Sequence, residues 1–143
     1  MSFLIRLRHE HAELIKIVKE LEALIAGESP PASLTLLDMR RRLSSILITH
    51  LKAEDWILYP PLVASGDPRV ATIAKHFVDE MGGLAQAFTA YVERWDTLNI
   101  GSDWPRYQEE TRGITGALAN RITRENQELY PLLEKVVSEA YIA

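Results

Sequence analysis

Three clusters of proline and glycine divide the chain into four long stretches. The clusters lie at residues 27–31, 65–68 and 99–105. Between them, apolar residues recur every three or four positions, which is helical spacing, and no stretch alternates with period two for the length of a strand. Helices joined by short connections pack as antiparallel neighbours. The sequence therefore predicts an all-α fold, an up-down-up-down antiparallel four-helix bundle. We expect a single domain over residues 1–143, with helices at about 3–26, 33–63, 69–96 and 104–138.

The chain contains no cysteine, and this absence removes several kinds of chemistry. Disulfides, thiolate zinc sites, iron–sulfur clusters and cysteine nucleophiles are excluded, and a reducing, cytoplasmic location is expected. Sixteen Lys and Arg residues against twenty Asp and Glu give a formal charge of −4, so no nucleic-acid partner is expected. No uninterrupted apolar run approaches the roughly 18 residues of a membrane helix, so no membrane partner is expected either.

Each predicted helix carries ionisable side chains where its apolar stripe continues. Counting residues from the connecting loops places all of them near one level of the bundle. A buried charge is costly unless it is paired or bound to a metal, and imidazole together with carboxylate suits iron, manganese or zinc. The inward set is predicted to comprise His11 in the first helix, His50 and Glu54 in the second, His76 and Glu80 in the third, and Arg121 and Glu125 in the fourth.

An internal repeat relates the second and fourth helices. The segments 49–60 and 120–131 align at a constant offset of 71 residues. Glutamate, leucine, tyrosine and proline coincide in the two segments, and Arg121 occupies the position equivalent to His50. Because proline is unusual within a helix, the shared Leu-Tyr-Pro makes a chance match the weaker explanation.

These motifs resemble the hemerythrin-like family, whose members are also called HHE cation-binding domains. The family's second and fourth helices each carry His-x-x-x-Glu followed by an aromatic-Pro pair. The matching segments are His50 to Glu54 with Tyr59-Pro60, the degenerate Arg121 to Glu125 with Tyr130-Pro131, and His11 as the first-helix ligand. The resemblance covers roughly residues 5–137.

The resemblance implies a pair of non-haem irons in the bundle core and an open position for dioxygen or nitric oxide. Glu54 and Glu125 would bridge the irons, and His11 and His50 would serve one of them. Ligands for the other iron would come from helices three and four, with His76 and Glu80 as candidates and Met81 as an alternative for the second position. A sensing or iron-handling role without enzymatic activity is then expected, in a monomer or homodimer, with any protein partner left open.

Arg121 departs from this pattern, because arginine stays protonated and is not a practical metal ligand. Our hypothesis is that one metal position is altered or lost and that a buried Glu80–Arg121 ion pair takes its place. The cofactor would then be one or two iron ions, or none. The alternative is a metal-free structural or regulatory bundle whose polar layer is held by ion pairs.

Three further expectations concern residues outside the proposed ligands. His9 should lie on the surface, because it is about 200° from His11 around the helix. The spacing places Ile57 on the inner stripe, and Trp56 is expected to be a packing or loop-anchoring residue and not part of a binding cage. Gly82-Gly83 interrupts the third helix near the level of Gly116, which predicts close packing of helices three and four, with a small-molecule passage as the alternative.

Overall fold

The computed structural model describes the backbone from Ser2 to Ile142 and the side chains of residues 3–136 except Thr97. Over this range every regular element is a helix, so the all-α prediction is confirmed. The up-down-up-down order of four helices stays a prediction. Within the part of the chain that the structure describes, no helix combines the length and apolar character needed to cross a membrane.

Four helical stretches form most of the molecule. The elements are α1 (Ser2–Leu24), α2 (Ser33–Lys52), π1 (Ala53–Leu58), α3 (Tyr59–Val63), α4 (Pro68–Met81), α5 (Leu84–Arg94), α6 (Thr97–Ser102), α7 (Trp104–Arg124), π2 (Glu125–Leu129) and α8 (Tyr130–Ile142). The first stretch is α1, the second comprises α2, π1 and α3, the third comprises α4 and α5, and the fourth comprises α7, π2 and α8. Helix α1 contacts α2 and α7, α3 contacts α4, and α5 contacts α7.

A buried polar layer lies between two apolar clusters of the core. One cluster includes Leu14 and Leu21 of α1 and the buried aromatic residues of α5 and α7, while the other contains Leu4 and Leu7 of α1 and Leu129 at the end of π2. His11 falls between the two clusters along α1. The remaining buried ionisable residues occupy the corresponding interval on the other helices, and they are His50, Glu54, Arg121 and Glu125.

The π1 segment changes which residues of the second helical stretch face inward. A π turn contains an extra residue, so the side chains that follow it are rotated relative to a continuous α-helix. Leu58 and Tyr59 are therefore buried, whereas Ile57 is 63% exposed and Trp56 is 70% exposed. The predictions that Ile57 continues the inner stripe and that Trp56 packs into the fold are wrong for this reason.

The third helical stretch is divided where one helix over 69–96 was predicted. Helix α4 ends at Met81, Gly82 and Gly83 form the junction, and α5 begins at Leu84. A Cβ atom at Gly83 or at Gly116 would have no heavy atom within 4 Å outside its own local backbone. The predicted close packing of helices at these glycines is therefore wrong, and a groove of about 600 Å³ lies beside Gly83, between α5 and α7.

Candidate metal centre

Five ionisable side chains from three helical stretches meet in the buried layer. His11 comes from α1, His50 from the last turn of α2, and Arg121 from the last turn of α7. Glu54 lies in π1 and Glu125 lies in π2, at equivalent positions of the internal repeat. Each residue has a relative exposure of 2% or less. Both carboxylates thus project from π turns, which are frequent at functional sites.

Four of these side chains place metal-donor atoms close together. One ligand atom from each of His11, His50, Glu54 and Glu125 lies within 4.8 Å of all the others. His11 Nε2 lies 3.1 Å from Glu125 Oε1, and His50 Nε2 lies 3.1 Å from Glu54 Oε1. Two imidazoles and two carboxylates form a donor set that suits first-row transition metals such as iron, manganese and zinc.

Each histidine is oriented by a second contact on its other ring nitrogen. His11 Nδ1 lies 2.8 Å from the side-chain carbonyl of Asn126, and His50 Nδ1 lies 2.8 Å from Glu10 Oε1. Because both partners accept, each Nδ1 carries the proton and donates, which leaves the Nε2 lone pair directed toward the carboxylates. Sequence reasoning missed Glu10 and Asn126. Their position next to His11 and Glu125 in the chain was the available signal.

The guanidinium of Arg121 contacts both buried carboxylates. Its Nη2 lies 3.2 Å from Glu54 Oε1 and 2.7 Å from Asp55 Oδ1, and its Nε lies 3.3 Å from Glu125 Oε2. The guanidinium carbon also lies 5.6 Å from the centroid of the Tyr59 ring. A fixed positive charge therefore bridges Glu54 and Glu125, and Asp55 is a partner that the sequence did not reveal.

Two tyrosines complete the hydrogen bonding of the carboxylates. Tyr59 Oη donates to Glu125 Oε2 at 2.6 Å, and Tyr130 Oη donates to Glu54 Oε2 at 2.5 Å. Burial raises the pKa of both phenols, and the nearby carboxylates raise it further, so both remain protonated donors. The tyrosine shared by the two halves of the internal repeat therefore donates a hydrogen bond to a buried carboxylate in each case.

The two buried carboxylates differ in their electrostatic environment. Burial by itself would raise the pKa of Glu54, but contact with His50 and the charges of His50 and Arg121 lower it to about 2. Burial and the charge of Glu54 raise the pKa of Glu125 above its usual value. For His50, burial opposes the charged form, but the neighbouring Glu54 raises the imidazole pKa. A cation or proton between these groups is therefore favoured.

The polar atoms of the layer provide a direct test of whether a metal ion fits. His50 Nε2 and Glu125 Oε1 are buried and have no hydrogen-bond partner among the described residues. A buried polar atom without a partner costs about 1–3 kcal/mol, and both atoms belong to the four-donor cluster. Binding of a metal ion among His11, His50, Glu54 and Glu125 would satisfy both atoms, so the residues fit such an ion.

The predicted inward placement of His76 and Glu80 is wrong. Their side chains are 56% and 44% exposed, and His76 Nε2 lies 2.9 Å from Glu80 Oε1 at the surface. The expected Glu80–Arg121 ion pair is also wrong, because Glu80 pairs with Arg124. The phase of α4 is set by its buried residues Val70, Ala74 and Phe77, which direct His76 and Glu80 away from the core.

The structure also tests the predicted positions of His9 and Met81. His9 is exposed, as predicted. Met81, the alternative candidate in helix three, is half-buried, and its backbone carbonyl rather than its side chain contacts the layer by accepting a hydrogen bond from Arg121 Nη1 at 3.1 Å.

Buried histidine and glutamate donors that converge between helices are the kind of arrangement on which metal sites of helix bundles are built. Comparison with protein families makes this specific, since residues 3–133 match the hemerythrin HHE cation-binding domain. The chain belongs to this family. No curated protein and no solved structure matches the chain.

Proposed function

We propose that this protein is a hemerythrin-like module that binds one metal ion, non-haem iron, through His11, His50, Glu54 and Glu125. The observation that carries the proposal is the convergence of these four donors within 4.8 Å of one another, while Arg121 contacts Glu54 Oε1 and Glu125 Oε2. Asn126 and Glu10 would hold the two imidazoles in the tautomer that ligation requires.

The second metal position of the family pattern is lost in this proposal. In that pattern the two carboxylates bridge two ions, and here the guanidinium of Arg121 contacts both of them. Arginine remains protonated, so the charge of the missing ion is replaced in part by a covalently attached cation. The contact with Asp55 gives this cation a third carboxylate partner.

When bound, iron would supply one-electron redox chemistry and affinity for dioxygen or nitric oxide. The residues of the chain hold the ion, exclude water and keep two protonated phenols on the carboxylates. We therefore propose sensing of a diatomic ligand or redox state, or iron handling, and no enzymatic activity. A cytoplasmic monomer or homodimer with the four-helix up-down-up-down order, acting without nucleic acid or membrane, is part of the same proposal.

Thermal unfolding with and without metal tests the proposal. Iron(II) added anaerobically at about 100 times its Kd should stabilise the chelator-treated protein by about 2.7 kcal/mol and raise Tm by roughly 5–10 °C. His50→Ala should abolish the rise. His76→Ala is the matched control, since His76 also faces a glutamate four residues on but at the surface, and it should leave the rise intact.

A second candidate function is a metal-free structural or regulatory bundle. The observation that favours it is the set of contacts that Arg121 makes with Glu54, Asp55 and Glu125, which pair these carboxylates without a metal. If the protein is a metal-free bundle, its Tm should be the same in the presence of iron and in the presence of chelator. A shift in Tm that depends on His50 would rule it out.

A further inference from the structure

One side chain connects the metal centre to the end of α4. The three guanidinium nitrogens of Arg121 donate to different acceptors. Nε and Nη2 donate to the carboxylates of the layer, and Nη1 donates to the backbone carbonyl of Met81 at 3.1 Å. Met81 is the last residue of α4, immediately before the junction at Gly82. The guanidinium therefore contacts both the buried carboxylates and the end of α4.

The end of α4 is a favourable acceptor for this cation. Carbonyls in the last turn of a helix lack the usual donor four residues on, and they carry the negative end of the helix dipole. At the junction, Gly82 N–H donates to Val78 O at 2.9 Å, and a Cβ atom at Gly82 would lie 2.5 Å from the same oxygen. This tight final turn therefore requires glycine at position 82.

The junction also forms one wall of the groove between α5 and α7. Met81, Gly83 and Leu84 line the groove on the α4–α5 side, and Gly113 and Ile114 line it on the α7 side. The groove has a volume of about 600 Å³. A change at the carbonyl of Met81 would therefore alter an outward-facing surface as well as the helix end.

We propose that Arg121 couples occupancy of the metal centre to the conformation of the α4–α5 junction; the coupling rests on the proposed metal binding. Glu54 Oε1 is shared, because it lies 3.1 Å from His50 Nε2 and 3.2 Å from Arg121 Nη2. A metal ion among the four donors competes for this carboxylate charge and repels the guanidinium. Arg121 then relies on its two other acceptors, Asp55 and the carbonyl of Met81, and holds the end of α4 more tightly.

Amide hydrogen exchange tests the coupling, with zinc as a redox-inert metal. The amides of residues 79–82, in the last turn of α4 and at the junction, should exchange about tenfold more slowly in the zinc-loaded wild-type protein than in the metal-free protein. Calorimetry on the same samples measures zinc binding separately. Amides of residues 37–43, in the first half of α2 and about two turns from His50, serve as an internal reference for changes in global stability.

Two variants isolate the role of the guanidinium. Arg121→Lys keeps the positive charge, but a single ammonium cannot contact both carboxylates and the carbonyl of Met81, so zinc should bind without slowing exchange at residues 79–82. Arg112→Lys, at an exposed position of the same helix, should behave as the wild type. Zinc binding with unchanged exchange in the wild type, or equal slowing in Arg121→Lys, would overturn the coupling and leave the proposed metal site standing. Failure of zinc to bind the wild-type protein would overturn both.

Discussion

Tyr130 donates a hydrogen bond of 2.5 Å to Glu54, a residue 76 positions earlier in the chain. Tyr59 makes the reciprocal contact with Glu125, so each half of the internal repeat supplies the phenol for the other half's carboxylate. The two hydrogen bonds thus connect the second and fourth helical stretches at the level of the buried polar layer. Both contacts lie within the buried layer, where an unpartnered carboxylate oxygen is costly.

Removal of the Tyr130 hydroxyl should therefore destabilise the protein. Tyr130→Phe deletes a hydrogen bond to a charged group and is expected to lower the free energy of unfolding by about 1.5–3 kcal/mol. Urea denaturation of the metal-free protein measures this change. Tyr107→Phe is the matched control, because the buried hydroxyl of Tyr107 has no hydrogen-bond partner among the described residues. A loss in Tyr107→Phe equal to that in Tyr130→Phe would show that the contact with Glu54 contributes nothing.

Replacement of Arg121 by methionine should be more severe. Arg121→Met leaves Glu54 and Glu125 buried beside one another without their cation, at an expected cost of about 3–5 kcal/mol in the free energy of unfolding. Protonation of one carboxylate reduces the cost, and added metal should reduce it further by neutralising the same charges. Chemical denaturation with and without zinc measures both effects.

The comparison for this variant is Arg124→Met, three residues further along. Arg124 pairs with Glu80 and Glu128 at the surface, where solvent screens the charges, so its loss should be much smaller. Equal losses at positions 121 and 124 would indicate that the buried network is not a special contributor to stability.

Because of the π1 segment, alanine substitutions at the adjacent residues Leu58 and Ile57 should differ in their effect on stability. Leu58 is buried, and Leu58→Ala should cost about 2–5 kcal/mol in the free energy of unfolding. Ile57 is 63% exposed, and Ile57→Ala should change stability by no more than about 0.5 kcal/mol. Parallel denaturation curves of the two variants check the difference. The reverse order would mean that the second helical stretch continues as an α-helix with Ile57 inside.

The sequence predicted the part of the site that depends on regular helical spacing. His11 and His50 lie on the inner stripes of regular α-helices. Glu54 is the second residue of π1 and Glu125 is the first residue of π2, so the extra residue of each π turn has not yet rotated them away from the stripe. Counting along ideal helices therefore brought these four residues to one level. The structure also brings them together, whereas Arg121 was assigned the wrong carboxylate partner.

The failures arose where helical phase depends on small or irregular features. In α4 the buried residue Ala74 helps to set which face of the helix points inward. Because alanine is a weak apolar signal, periodicity predicts an inner stripe through Glu80 instead of Met81. Beyond Glu54, the extra residue of π1 moved Ile57 outward. A π turn has no reliable sequence signature, and so neither the exposure of Trp56 nor the partner Asp55 was predictable from periodicity.

The number of tightly bound iron ions per chain tests most directly the proposal that Arg121 replaces one metal ion of a two-ion site. Elemental analysis after anaerobic loading and removal of excess metal measures this number. We expect one ion per wild-type chain and a gain of metal in Arg121→His, where a neutral imidazole replaces the guanidinium. Two ions in the wild-type protein, or none, would contradict the proposal.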